Sequence, residues 1–197
     1  MRGWSAANAM NSEMQMVSYE LIPKIGIGPI RFGMTHREVY AAMGTTPSRI
    51  LPRGKAVGEE DVSSFHFNGC FKVGYSTETF IVNFIGVFSD NGVDVVYKGI
   101  DLFNIEAEKV IALISAETPY DKELPEQGYS YVFTALELSL GRSGIPEKVE
   151  AENIDEDDLE YLEEERRKAR FFDSVGLGVE GYYSVELKIL LNRNKNW

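Results

Sequence analysis

The spacing of apolar positions changes near residue 35. In LIPKIGIGPI (residues 21–30) they alternate with glycine and proline, a pattern that suits an extended segment. In THREVYAAMG (residues 35–44), Val39, Ala42 and Met43 recur at i, i+3 and i+4, on one face of a predicted helix. Thr35 and Glu38 have the T-x-x-E spacing of a capping box, in which hydroxyl and carboxylate each accept a backbone N–H, and Gly44 is placed to end the helix left-handed. Residues 45–64 carry Pro47, Pro52, Gly54 and Gly58 among mixed charges and read as a surface connection. FHFNGCFKVGY (65–75) and FIVNFIGVF (80–88) are rich in aromatic and β-branched residues and are joined by STET, so they predict a hairpin. Asn91-Gly92 is a further turn signal, with VDVVYKGI (93–100) expected as the third strand of an antiparallel meander.

A similar order follows. Asn104 reads as an N-cap, and Val110, Leu113 and Ile114 repeat the spacing of Val39, Ala42 and Met43 at an offset of 71 residues. YSYVFTALELSL (129–140) resembles FHFNGCFKVGY in composition, and FFDSVGLGVEGYYSVELKILL (171–191) supplies one or two further strands. The expectation is an α+β fold of two helix-plus-antiparallel-sheet units, residues 17–98 and 99–197, packed as one continuous structure. The alternative is that two amphipathic helices look alike by chance. Residues 1–16, with Met10, Met14 and Met16 in quick succession, read as a flexible extension and, broken by Asn8, Asn11, Ser12 and Glu13, do not form the apolar run of a signal peptide.

The second unit is interrupted by an acidic insertion, residues 147–170, with eleven carboxylates from Glu147 to Glu165 followed by Arg166, Arg167, Lys168 and Arg170. Acids before bases complement a helix dipole, and Glu163 with Arg167 and Glu164 with Lys168 are i,i+4 pairs. Asn153 and Glu156 have a capping spacing, and Leu159, Leu162 and Ala169, with Arg166 between them, form a thin apolar stripe. A solvated helix riding on the fold satisfies this pattern. A docking face for a basic protein does too, with Asp155, Asp157, Asp158, Glu160, Glu163 and Glu164 as the partner-binding residues. A calcium loop does not fit, because counting from Asp155 puts Leu159 at position 5 and Glu160 at position 6, where an oxygen ligand and a glycine are needed.

Charge and composition narrow the function further. A formal charge of −11 disfavours nucleic acid and anionic lipid and favours basic protein partners. A single cysteine, Cys70, allows no internal disulfide and no thiolate metal site, so a reducing, cytoplasmic setting is expected, and no run is long enough to span a bilayer. No metal and no cofactor are indicated: GIGPIRFG and the glycines of residues 176–178 match neither the dinucleotide nor the phosphate-loop fingerprint. The two histidines are His36, in the first helical turn, and His66, which faces away from Phe65 and Phe67 and is expected toward solvent. Either could act as a base only if the fold brought Cys70 or a serine within hydrogen-bonding reach, so no catalytic residue is assigned. The aromatics Phe65, Phe67, Phe71, Tyr75, Tyr129, Tyr131 and Phe133 could line a ligand-binding sheet face, but alternating spacing fits core better.

The stretch IRFGMTHREVYAAMG resembles the G-M-T-x-x-E-V…G signature that opens the small helix-then-sheet domains of the SmpA/OmlA outer-membrane assembly lipoproteins and of the tandem-repeat β-lactamase inhibitory proteins. The matching positions are Gly33, Met34, Thr35, Glu38, Val39 and Gly44. The lipobox cysteine of the former and the paired cysteines of the latter have no counterpart here, which puts an envelope or extracellular location in doubt. The tandem layout and FFDSVGLGVEGYY are also similar to bacterial cytoplasmic proteins of the immunity-protein kind. The resemblance implies a non-enzymatic protein-binding module, such as an immunity protein that occludes a basic toxin. The alternative from the residues is a small-molecule-binding or weakly hydrolytic domain using the aromatic sheet face with His36 or His66.

Overall fold

The computed structural model describes residues 17–47, 49–51, 62–66, 69–89, 92–122, 128–146, 148 and 159–184. Three short strands open it, β1 (Val17–Ile22), β2 (Gly26–Ile27) and β3 (Ile30–Arg31), folded back on one another as antiparallel pairs. Gly28 (φ +55) allows this close fold, since a Cβ there would strike the Tyr19 ring.

Helix α1 (His36–Met43) forms as its sequence dictates. The Thr35 hydroxyl accepts from Glu38 N, the Glu38 carboxylate accepts from Thr35 N at 2.8 Å, and Gly44 closes the helix at φ 66. The bond from Thr35 N, and after it the one that the Thr35 hydroxyl donates to the same carboxylate oxygen at 2.8 Å, hold the Glu38 carboxyl below the usual carboxylate range. Val39 and Met43 are buried while Ala42 is exposed, so the packed stripe is narrower than the spacing suggested. Thr35→Ala is expected to cost about 1 kcal/mol through loss of the cap, read as a fall in the urea midpoint at constant m.

The large sheet is antiparallel throughout and has seven strands, in the order β10 (Ser130–Phe133), β11 (Leu138–Gly141), β12 (Ser174–Gly178) and then the four first-half strands in reverse chain order. Its first-half members are β4 (Arg49–Leu51), β5 (Val62–His66), β6 (Phe71–Tyr75) and β7 (Val82–Phe88). FHFNGCFKVGY is therefore not one strand: it turns at Gly69, whose φ of 98 suits glycine, and its two arms pair with His66 opposite Phe71. The STET hairpin joins β6 to β7 as expected, with the Ser76 hydroxyl accepting from Glu78 N and Thr79 N.

The expected meander does not continue. Strand β8 (Val93–Tyr97) leaves the large sheet and pairs in parallel with β1, Val17 opposite Val93 through Glu20 opposite Val96. VDVVYKGI itself breaks at Lys98-Gly99 into β8 and β9 (Ile100–Asp101), completing a five-stranded sheet β3-β2-β1-β8-β9. The reason lies at the edge of β7, which β12 (Ser174–Gly178) occupies, with Gly176 directly opposite Gly86. Two glycines facing each other leave room for the Phe84 ring, which lies over both positions.

Helix α2 (Ala107–Ser115) begins after Glu106, not at Asn104. Asn104 is engaged elsewhere: its backbone N–H and that of Phe103 donate to Asp101 Oδ1, and its side-chain amide donates to Asp94 and Asp101. Ala107, Val110 and Ile114 are buried, whereas Leu113, expected inside, is 51% exposed. Strands β10 (Ser130–Phe133) and β11 (Leu138–Gly141) follow, separated by a 3-10 turn at 134–136 and by Glu137 in the left-handed region. The Glu137 carboxylate is buried and accepts from Gly181 N at 2.6 Å and Tyr183 N at 3.0 Å, pinning the turn that follows β12. Both sheets, α1 and α2 contribute to one core, from Leu21 and Val95 to Phe71, Phe133 and Leu177.

Candidate functional site

The acidic insertion supplies α3 (Leu159–Ala169). Leu162 and Ala169 are buried, as the stripe predicted. Ala169 comes so near to Gly144 that a Cβ there would meet its Cβ at 2.9 Å. The C-terminal end of α3 is held by two bonds from other elements: Arg142 donates to Ala169 O at 3.1 Å, and Ala107 N, at the start of α2, donates to Arg170 O at 2.8 Å. Arg142 is nearly inaccessible and also donates to Gly128 O at 2.6 Å, to Glu108 at 2.9 Å and to the Tyr131 hydroxyl at 3.4 Å. A guanidinium can make this many directed bonds at once because its five donors fan out in one plane. The basic residue that matters for anchoring α3 thus lies outside the insertion.

The opposite face of α3 points outward. Glu163 and Glu164 are exposed, and Tyr161, between the two acidic runs, is 64% exposed. Of the predicted i,i+4 pairs, Glu164 with Lys168 forms at 3.0 Å, and Lys168 also reaches Glu165 at 3.2 Å; the hydrogen bonds it donates to Glu164 and then to Glu165 raise the Lys168 pKa. Asp155, Asp157 and Asp158, like the Asn153–Glu156 capping pair, lie outside the described residues, and Glu160 is placed only by its backbone in the first turn of α3. Two of the six expected partner-binding side chains are therefore located, and both face solvent. Tyr161 was missed by the charge pattern; its signal is its position, one residue before Leu162 of the apolar stripe.

A second cluster was not foreseen in this form. His66, expected toward solvent, is fully buried, and so is Ser64 two residues earlier on the same side of β5. Ser64 Oγ lies 3.1 Å from His66 Nε2 and 3.0 Å from the Tyr75 hydroxyl. The His36 ring stacks flat on Tyr75 with centroids 3.5 Å apart, and Tyr40 of α1 stands 5.6 Å from His66. Both histidines of the chain thus gather where α1 meets the β5–β6 end of the large sheet. Burial lowers the pKa of each and pushes that of Tyr75 up to about 12. His66 faces inward because α1, through Tyr40 against His66 and His36 against Tyr75, covers that side of the sheet, whereas the half-buried Phe65 takes the other.

The Ser64–His66 contact meets the condition for a nucleophile and base. It stops short of a working pair: His66 Nδ1 is buried with no hydrogen-bond partner among the described residues, so no carboxylate orients the imidazole, and Ser64 itself is inaccessible. The aromatics, whose alternation fitted core, are only partly core. Phe71, Tyr75 and Phe133 are core, Phe65, Tyr129 and Tyr131 are half-buried, and Phe67 lies outside the described residues. Cys70 is buried. No helix among the described residues is long and apolar enough to cross a membrane.

No protein-family profile matches the chain, and no curated protein or solved structure matches it.

Proposed function

We propose that this chain is a non-enzymatic protein-binding module of the cytoplasm whose target is a basic protein, in the manner of a bacterial immunity protein that occludes a toxin. The observation that supports this reading is the outward face of α3, where Glu163, Glu164 and a 64% exposed Tyr161 stand on a helix anchored from behind by Arg142. Carboxylates on a fixed helix steer a cationic surface toward the contact, and an exposed tyrosine beside them offers an aromatic anchor once water is excluded. The charge of −11 extends the same attraction over the whole molecule and disfavours nucleic acid as a competitor.

Charge reversal at Asp157, Asp158, Glu160 and Glu163 is expected to lower the association rate with the bound protein at least about tenfold at low salt and to flatten its salt dependence. Tyr161→Ala is expected to act on the dissociation rate instead, because an anchor is engaged after encounter. Stopped-flow or surface-based kinetics at two ionic strengths separate the two effects. An association rate and salt slope that the reversal leaves unchanged would remove α3 from the interface.

The Ser64–His66 contact favours the second reading, a small-molecule-binding or weakly hydrolytic domain. It requires the cluster to open, since both side chains are buried. Turnover of a simple activated ester that disappears in Ser64→Ala while the fold is retained would establish it.

A further inference from the structure

The surroundings of His66 favour its neutral form. With Ser64 Oγ 3.1 Å from Nε2, the neutral ring that donates from Nε2 satisfies the serine, and Nδ1 is then a bare acceptor, which burial tolerates. A proton on Nδ1 changes this. The ring becomes a cation with a second N–H that has no acceptor among the described residues, in a position with no exposure to water.

Among the described residues, the groups around it give no compensation. The titratable side chains that face it are Tyr40 from α1 and Tyr75 from β6, with His36 stacked on the far side of Tyr75. Tyr75 is bonded to Ser64, and its own pKa is raised by burial, so it offers no negative charge near neutrality. On β4, Arg49 lies opposite Phe65 and Ile50 opposite Ser64 in the strand register. On α1 the carboxylate, Glu38, is exposed and bonded to Thr35, and Arg37 is exposed. A second imidazole in the same stack, His36, adds a second site where a proton disfavours the packed form.

We propose that this cluster is an acid-sensitive latch, in which a proton taken up by His66 releases α1 from the β5–β6 end of the large sheet. His36 reinforces the latch without being its trigger, because it is only half-buried and can turn its edge to water. The far end of the sheet, β10 to β12, contains no histidine and keeps its pairing as the latch opens.

The sign is fixed by linkage. Burial lowers the His66 pKa below its ordinary value of 6.5, so its contribution is complete above that value and is lost as pH falls from about 6.5 toward the lower folded pKa. With two histidines in the chain, the range from pH 7.5 to 5.5 reports on them before the carboxylates begin to titrate.

The test is amide hydrogen exchange on the full chain between pH 7.5 and 5.5, corrected for intrinsic rates, together with the NMR titration of the His66 Cε1 proton. Opening of α1, β5 and β6 should become easier by up to about tenfold per pH unit below 6.5, with β11 and β12 changing much less. His66→Gln should abolish that slope and His36→Gln should leave most of it. A His66 titration at or above the ordinary value, or equal pH slopes at both ends of the sheet, would overturn the latch. The wild-type titration decides between these outcomes even if a variant fails to fold.

Discussion

Arg142→Ala is expected to lower the unfolding free energy by roughly 3 to 5 kcal/mol. The ion pair is the smaller part of this, since its partner Glu108 is 60% exposed and screened by solvent. The larger part is the loss of donors to Ala169 O, at about 1 to 3 kcal/mol for an acceptor left buried and unpaired, and to the half-buried Gly128 O, plus the packing of the guanidinium under Tyr131. Arg142→Lys should recover little, because one ammonium cannot reproduce the directions of the fork. Urea unfolding measures the cost. Limited proteolysis should meanwhile cut first within residues 159–169, because Arg142 is what ties the end of α3 to β11. A stability loss under about 1 kcal/mol would mean that water replaces the lost donors.

Phe71→Ala should be comparably damaging, by roughly 3 to 5 kcal/mol, for a different reason. Phe71 is fully buried on β6 and meets Tyr19 of β1 edge to face at 5.3 Å, so it joins the five-stranded sheet to the seven-stranded one. Truncation removes the transfer energy of the ring and leaves a cavity between two sheets that share few other aromatic contacts among the described residues. Phe71→Leu, which keeps most of the volume, should cost much less. Equal losses for the alanine and leucine variants would show that ring geometry, not volume, is what the site needs.

The contrast between α1 and α2 shows what the chain makes legible. Every determinant of α1 is local: Thr35, Glu38 and Gly44 act within one turn of the helix ends, and each does what its spacing predicts. At α2 the same reasoning put the cap at Asn104, two residues early, because Asp94 and Asp101 compete for that amide and Asp94 comes from another strand. Sheet order was less accessible still. The parallel pairing of β1 with β8 and the entry of β12 beside β7 join segments 76 and 88 residues apart at Val17–Val93 and Val87–Val175, and no local signal encodes such distances.

The candidate site divides in the same way. The apolar stripe and outward acids of α3 follow from helical periodicity, so Leu162, Ala169, Glu163 and Glu164 lie where they were expected. Ser64 fell within the connection read over residues 45–64, which in fact holds β4 and most of β5; alternation turned His66 away from Phe65, but which side of β5 is buried depends on α1, and that reversed the expected exposure of His66. Arg142 carried no sequence signal for its role, since a lone arginine after a strand is ordinarily a surface residue.

The role of α3 in binding is tested most directly by paired capture from the native lysate, with the wild-type chain and the Asp157, Asp158, Glu160, Glu163 charge-reversed chain as baits. Bound proteins would be identified by mass spectrometry at low and at moderate salt. A basic protein held near one-to-one by the wild type, released by salt and absent from the reversed bait is the expected result. The same proteins on both baits, or none on either, would contradict it.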